Sequence, residues 1–201
     1  MSFDKYLSNK KAVIITLDDA LFPKKDYLLQ VYYLFSEFMA YSEQLDSKAI
    51  VAFMSKIYQE DGETQIFEKT AAQFQIPEKY QQNFNLLHET ARLPLKLLLF
   101  KNVLALLQQV VVENKQLFLL AEGNPAVAIN KIKQIEWHGL EAYLKVYFTV
   151  EYDGSVEKTL AHLLEGEGFK HDDEVLFTSP IQFESNFVDS NIECFSVTEI
   201  L

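Results

Sequence analysis

Five residues, Val13 to Leu17, form a continuous apolar and β-branched run with no polar alternation. That pattern predicts a strand buried on both faces, as in the middle of a parallel sheet. From about Lys24 the spacing changes. In YLLQVYYLFSEFMAY, apolar or aromatic residues fall at 28, 31, 32, 35, 38 and 39, one stripe of a helix. Asp46 or Ser47 stands where an N-cap belongs, ahead of Ile50, Phe53, Met54 and Ile57 at helical spacing. Gly62 breaks that run. ETQIFEKTAAQF predicts a third helix, and PEKYQQNFNLLHET a fourth, with Pro77 in its first turn.

Beyond about residue 98 the two periodicities alternate. KNVLALLQQVVVEN predicts a helix, QLFLLAE a buried strand, and NPAVAINKIKQI a helix capped by Asn124 with Pro125 at its first position. LKVYFTV is a strand, VEKTLAHLLEGEG a helix ending near Gly166–Gly168, and EVLFTS a strand. A short helix near 182–190 and a last strand, IECFSV, complete the series. Strands alternating with helices imply an α/β fold: a Rossmann-like parallel sheet with helices on both faces. The domain expectation is a core of 1–23 and 96–201, interrupted by an inserted α-helical cap at 24–95.

Composition narrows the function classes. The chain has 201 residues, 49% apolar and 23% charged, ordinary for a globular protein. Its net charge of −11 argues against nucleic acid or an anionic membrane as partner. Residues 150–201 hold 12 acids against Lys158 and Lys170, while residues 1–149 hold 17 acids against 16 Lys and Arg. Cys194 is the single cysteine, so no intrachain disulfide or cysteine-rich metal site is expected. His88, His138, His162 and His171 share no ligand spacing. MSFDKYLSNKK lacks the apolar core of a secretory signal, and Pro94, Lys96 and Lys101 interrupt the most apolar run. A cytoplasmic location is the expectation.

Three segments in order, LDDALFP, LFLLAEGNP and DEVLFTSP, together with the helical insertion after strand one, resemble the haloacid dehalogenase (HAD) superfamily. The resemblance spans roughly residues 10–201. It implies phosphoryl or related transfer through an aspartyl intermediate, on a magnesium site. The first motif of that family is a hydrophobic strand followed by Asp-x-Asp-x-Thr-Leu. Leu17, Asp18, Asp19, Leu21, Phe22 and Pro23 set the register, so Thr16 occupies the nucleophile position, Asp18 that of the general acid/base, and Ala20 that of the threonine.

The other motifs depart in the same direction. The phosphate-binding hydroxyl position is Ala121, although Gly123 and Asn124 keep the turn, as a backbone anion nest or as ordinary capping. The lysine position falls near Ser155 or Val156, with Lys158 two or three residues late. Ser179 and Pro180 stand where Gly-Asp would supply a metal carboxylate, leaving Glu184 as a candidate later acid. Magnesium needs hard oxygen donors in near-octahedral array, and the carboxylates expected at 16 and 180 are missing. Arg92, the single arginine, offers no phosphate clamp in the core.

Asp18 is either a surviving acid or a cap of the turn after strand one. The aromatic residues of the insertion (Tyr32, Phe35, Phe67 and Phe84 among them) form its core, and some line a pocket or partner surface in the alternative reading. Trp137 is a packing residue. The expectation is therefore a HAD-like protein that has lost catalysis and serves as a binding or regulatory module. It would take a small molecule or a protein at the core–cap cleft, without a cofactor. The alternative is a weak magnesium-dependent phosphomonoester hydrolase using Asp18 with Glu184 or Glu122. A structural subunit that oligomerises through its cap is a third reading.

Overall fold

In the computed structural model, residues 3–170, 172–182 and 192–201 are described. Strand β1 (Ala12–Thr16) begins one residue before the expected run of Val13 to Leu17, and all five of its residues are buried. It is flanked on one side by β3 (Gln116–Ala121) and then β5 (Leu144–Phe148). On the other side lie β6 (Glu174–Thr178) and β7 (Glu193–Ser196). Every pair in this five-stranded sheet is parallel, in the order β5-β3-β1-β6-β7. Ile14 sits opposite Phe118 on one neighbour and Leu176 on the other.

Both faces of the sheet are covered, which is why β1 shows no alternation. Ala12, Ile14, Phe118, Leu120 and Leu176 pack against Leu160 and Leu163 of α8 (Val156–Glu167). On the opposite face Val13, Ile15, Leu119 and Phe177 are equally buried. There Tyr6 of the short helix α1 (Asp4–Leu7) meets Phe177 and Phe195 edge-on, at centroid distances of 5.5 and 4.8 Å. Helix α6 (Lys101–Val112) packs on β3 and buries Val103, Leu106, Leu107 and Val110.

The inserted segment folds into α2 (Lys24–Glu43), α3 (Ser47–Asp61), α4 (Ile66–Phe74) and α5 (Gln81–Thr90). The α2 stripe buries Leu28, Val31, Tyr32, Phe35 and Met39, while Phe38 is only half-buried. Asp46 caps α3, its carboxylate accepting from the N–H groups of Lys48 and Ala49 at 2.9 and 3.2 Å. Gly62 ends that helix at φ 69°, a left-handed conformation that a side chain would strain. Phe84 gathers Phe35 at 5.1 Å and Phe67 at 5.9 Å into the core of this unit. The expected fourth helix is two elements. Pro77 precedes a 3-10 turn, Glu78–Tyr80, and α-helical geometry begins only at Gln81.

By contacts the chain divides into one unit of residues up to 24, 97–128 and 135–201, and another of 25–96 and 129–134. The boundary cuts α7 (Pro125–Gln134), whose last six residues group with the inserted helices. Asn130, 6% exposed, explains this: its amide donates to the carbonyls of His88 and Ala91, both at 3.1 Å. No periodicity in the sequence carries that information. Two-residue strands β2 (Leu97–Leu98) and β4 (Ile135–Glu136) form a separate parallel pair, too short to leave a pattern. The helix expected near 182–190 falls almost wholly outside the described residues. Among the described residues no helix is long and apolar enough to cross a membrane.

Candidate functional site

The C-terminal ends of the central strands of a parallel sheet are where such folds place ligands. Here those ends carry Thr16 on β1, Ala121 on β3 and Thr178 on β6. Thr16 and Ala121 are each 1% exposed. After Thr16 the chain turns sharply: Asp19 has φ 56°, its N–H donates to the Phe22 carbonyl at 3.0 Å, and Leu21 N–H donates to Leu17. Ala20, Leu21 and Phe22 are fully buried, so the short side chain at 20 is enclosed by the turn. The carboxylate of Asp19 accepts from Lys24 N–H at 2.8 Å, at the start of α2. Asp19 thus caps this turn. Asp18 is half-buried and its carboxylate lies 3.7 Å from the Lys24 ammonium.

The feature that sequence reasoning missed is Gln182. A helical turn begins at Pro180 directly after β6, and it brings the Gln182 side chain back to the strand ends. Its carbonyl oxygen accepts from the Thr16 hydroxyl at 2.8 Å and the Ser179 hydroxyl at 3.0 Å. Its amide nitrogen donates to the Glu122 carboxylate. An ionised carboxylate only accepts, so the nitrogen must face Glu122 and the oxygen must face the two hydroxyls. The network therefore fixes the amide orientation. Nothing in a lone glutamine within IQFES signals this role; only the fold brings position 182 to position 16.

Among the described residues, Glu122 and Asp18 are carboxylates at this place. Burial of its carboxyl group, then the negative charge of Asp18, push the Glu122 pKa above the ordinary carboxylate value, against a lowering by Gln182. The turn after β3 uses Gly123 at φ 76°, and Asn124 then caps α7 by accepting from Ala126 N–H at 2.8 Å. Of the two readings of that turn, ordinary capping is present.

The lysine position is occupied by packing and capping. Ser155 caps α8 by accepting from Lys158 N–H at 3.2 Å, and Val156 is buried in the core. Lys158 lies on α8, paired with Asp153 at 2.7 Å. Pro180 opens the turn that delivers Gln182. Glu184 and His171 lie outside the described residues. Of the other histidines, His88 meets the Tyr27 hydroxyl at 3.1 Å and His162 stacks on Tyr152 at 4.7 Å. Trp137 is 6% exposed, a packing residue.

Among the described residues no group of three or more His, Cys, Asp or Glu side chains is placed to hold a metal ion. Among the described residues the oxygen donors at the strand ends already have partners: Asp18 lies beside Lys24, Glu122 accepts from the Gln182 amide, the Thr16 and Ser179 hydroxyls donate to Gln182, and the Thr178 hydroxyl contacts the Cys194 sulfur.

No protein-family model matches the sequence, and neither does any curated protein. The fold does match solved structures. A hydrolase from Streptococcus pneumoniae TIGR4 aligns at 15% identity and a TM-score of 0.53, covering 93% of this chain and 92% of its own. A putative beta-phosphoglucomutase from Thermotoga maritima aligns at 16% identity and a TM-score of 0.57, covering 84% and 76%. A HAD family hydrolase from Deinococcus radiodurans R1, crystallised with phosphate and sodium, aligns at 10% identity and a TM-score of 0.56, covering 94% and 81%. The order of elements, the parallel sheet and these neighbours agree: the chain has the haloacid dehalogenase-like fold of this hydrolase group.

Proposed function

We propose that this HAD-fold chain does not perform displacement chemistry at its strand ends, and that it serves as a binding or regulatory module. The observation that carries the reading is the Gln182 carboxamide bridging Thr16, Ser179 and Glu122. A hydroxyl nucleophile must lose its proton to a base as it attacks. Thr16 instead donates to a neutral amide oxygen, which takes no proton. Gln182 also occupies the old reaction centre, so a substrate phosphate would have to displace its carboxamide and would put a second anion beside Glu122 in place of the amide N–H. Lys24, beside Asp18, is paired with it.

The rival reading, weak magnesium-dependent hydrolysis through Asp18, would need Asp18 free of Lys24 and a set of oxygen donors around the ion. The test is magnesium-dependent phosphatase activity of the whole chain on a broad phosphomonoester panel, with Asp18→Asn alongside. The expected result is no turnover that depends on Asp18. Turnover abolished by that substitution overturns the reading.

A further inference from the structure

Among the described residues at least ten of the 17 lysines pair with carboxylates. A different arrangement occurs in the helical unit. A groove of about 610 Å³ is lined by Thr90, Arg92 and Lys96 from the segment ending and following α5, and by Asn130 and Lys133 from the end of α7. Arg92, the only arginine, lines it together with the two lysines, and among the described residues none of the three is ion-paired to a carboxylate. One acid, Glu89, also lines the groove. Three cations against one acid stand out on a chain of net charge −11.

The floor of the groove is held rigidly. Asn130 ties α7 to the His88 and Ala91 carbonyls, and Gln134 donates to the Ala91 carbonyl at 3.1 Å and to Asn130 at 3.2 Å. These amides, Asn130 buried and Gln134 half-buried, hold the backbones that carry Arg92 and Lys133. Little ordering is then left for a ligand to impose on the backbone. The complement of Lys131 and Lys133 to the negative end of α7 explains why lysines occur in that last turn. It does not explain Arg92 and Lys96, which come from another segment.

We propose that this groove binds a small molecule bearing two or more phosphate groups. A guanidinium fork matches phosphate oxygens bidentately, and the two ammonium groups supply point charges beside it. The volume is that of a small-molecule site rather than of a macromolecular interface. The acids elsewhere on the chain do not forbid it, since at physiological salt charges beyond about 8 Å are largely screened. The groove is lined by residues of the helical unit alone, so the proposal stands whether or not catalysis at the strand ends is lost.

The test is calorimetric titration of the full chain with inorganic pyrophosphate at low and physiological salt. Arg92→Gln, Lys133→Gln and Lys158→Gln are titrated in parallel, the last removing an exposed cation elsewhere. Binding is expected in the wild type, weakened about tenfold or more by Arg92→Gln, weakened by Lys133→Gln, and unchanged by Lys158→Gln. Circular dichroism checks that each variant is folded, and Lys133→Gln provides the readout if Arg92→Gln is not. Absence of wild-type binding, or equal weakening by all three substitutions, overturns the proposal.

Discussion

The Thr16 hydroxyl donates to the Gln182 side-chain oxygen at 2.8 Å, joining the end of the first strand to a turn 166 residues later. Thr16 is 1% exposed, so its hydroxyl depends on that partner. Gln182→Leu should destabilise the chain by about 1–3 kcal/mol, because it leaves buried hydroxyls without an acceptor. Thr16→Val should cost less, roughly 1 kcal/mol, since the Gln182 oxygen keeps its bond from Ser179. Urea unfolding of both single variants and the double variant measures this. A double-variant loss equal to the sum of the single losses would show that the pair is not coupled.

How much of this was legible in the sequence differs between the fold and the site. Strand β1, the helices and the parallel order follow from apolar periodicity, because burial on two faces or one stripe leaves its mark on consecutive residues. Position 16 was legible as an anomaly, a threonine within an otherwise familiar segment. What fills its surroundings was not, because the partner comes from the turn that follows β6 and carries no motif. The division of α7 was hidden for a similar reason: Asn130 reads as one more polar residue until its two carbonyl partners are known. Pro77 misled in its own way. It suits a first helical turn, but the chain spends three residues in a 3-10 turn before the helix starts.

An aspartate at position 16, where the HAD resemblance implies a nucleophile, should not create activity. Thr16→Asp would place a third carboxylate beside Asp18 and Glu122, whose pKa the Asp18 charge already raises. The Lys24 ammonium, 3.7 Å from Asp18, is the cation at hand, and it is committed. The variant should show no magnesium-dependent phosphatase activity. Its stability should fall as pH rises above the carboxylate range, since ionising another acid in this cluster is unfavourable. Activity assays and urea unfolding at about pH 5.5 and about pH 8 check both parts. Turnover by the single variant would mean that the remaining residues can still support displacement.

The Asp18–Lys24 pair should matter little to stability, in contrast to Gln182. Both side chains are about a quarter exposed, and the separation of 3.7 Å is near the outer limit of a direct pair. Such pairs are worth about 0–1 kcal/mol, and salt screens them. Asp18→Asn and Lys24→Gln should each shift the urea midpoint by an amount equivalent to less than about 1 kcal/mol, and raising the salt should shrink the difference. Asp19→Ala should cost more than Asp18→Asn, because it removes the carboxylate that accepts from Lys24 N–H at 2.8 Å. Loss of an N-terminal helix cap costs about 1 kcal/mol. The reverse order would return the capping role to Asp18.

Glu174 supplies a pH dependence of the opposite sign to ordinary acid denaturation. It opens β6 beside Ala12, on the face that packs under α8, and is completely buried. Neither of its carboxylate oxygens has a hydrogen-bond partner among the described residues. Burial, helped by the charges of Asp173 and Asp172 and opposed by Lys10, pushes its pKa from 4.5 up to about 7. Below the unfolded value both states hold the proton, and stability is unaffected by it. Between the two values the unfolded chain has released the proton while the native chain keeps it, so stability falls as pH rises and levels off above about 7. The loss is on the order of 3 kcal/mol at neutral pH. Glu174→Gln removes this ionisation. The variant should therefore gain on the wild type as pH rises from about 5.5 to about 8, and the difference between the two chains isolates this residue from the other acids. Urea unfolding across that range measures it. A constant difference between the two chains would mean that Glu174 stays ionised in the native core throughout, held by a partner that compensates its buried charge.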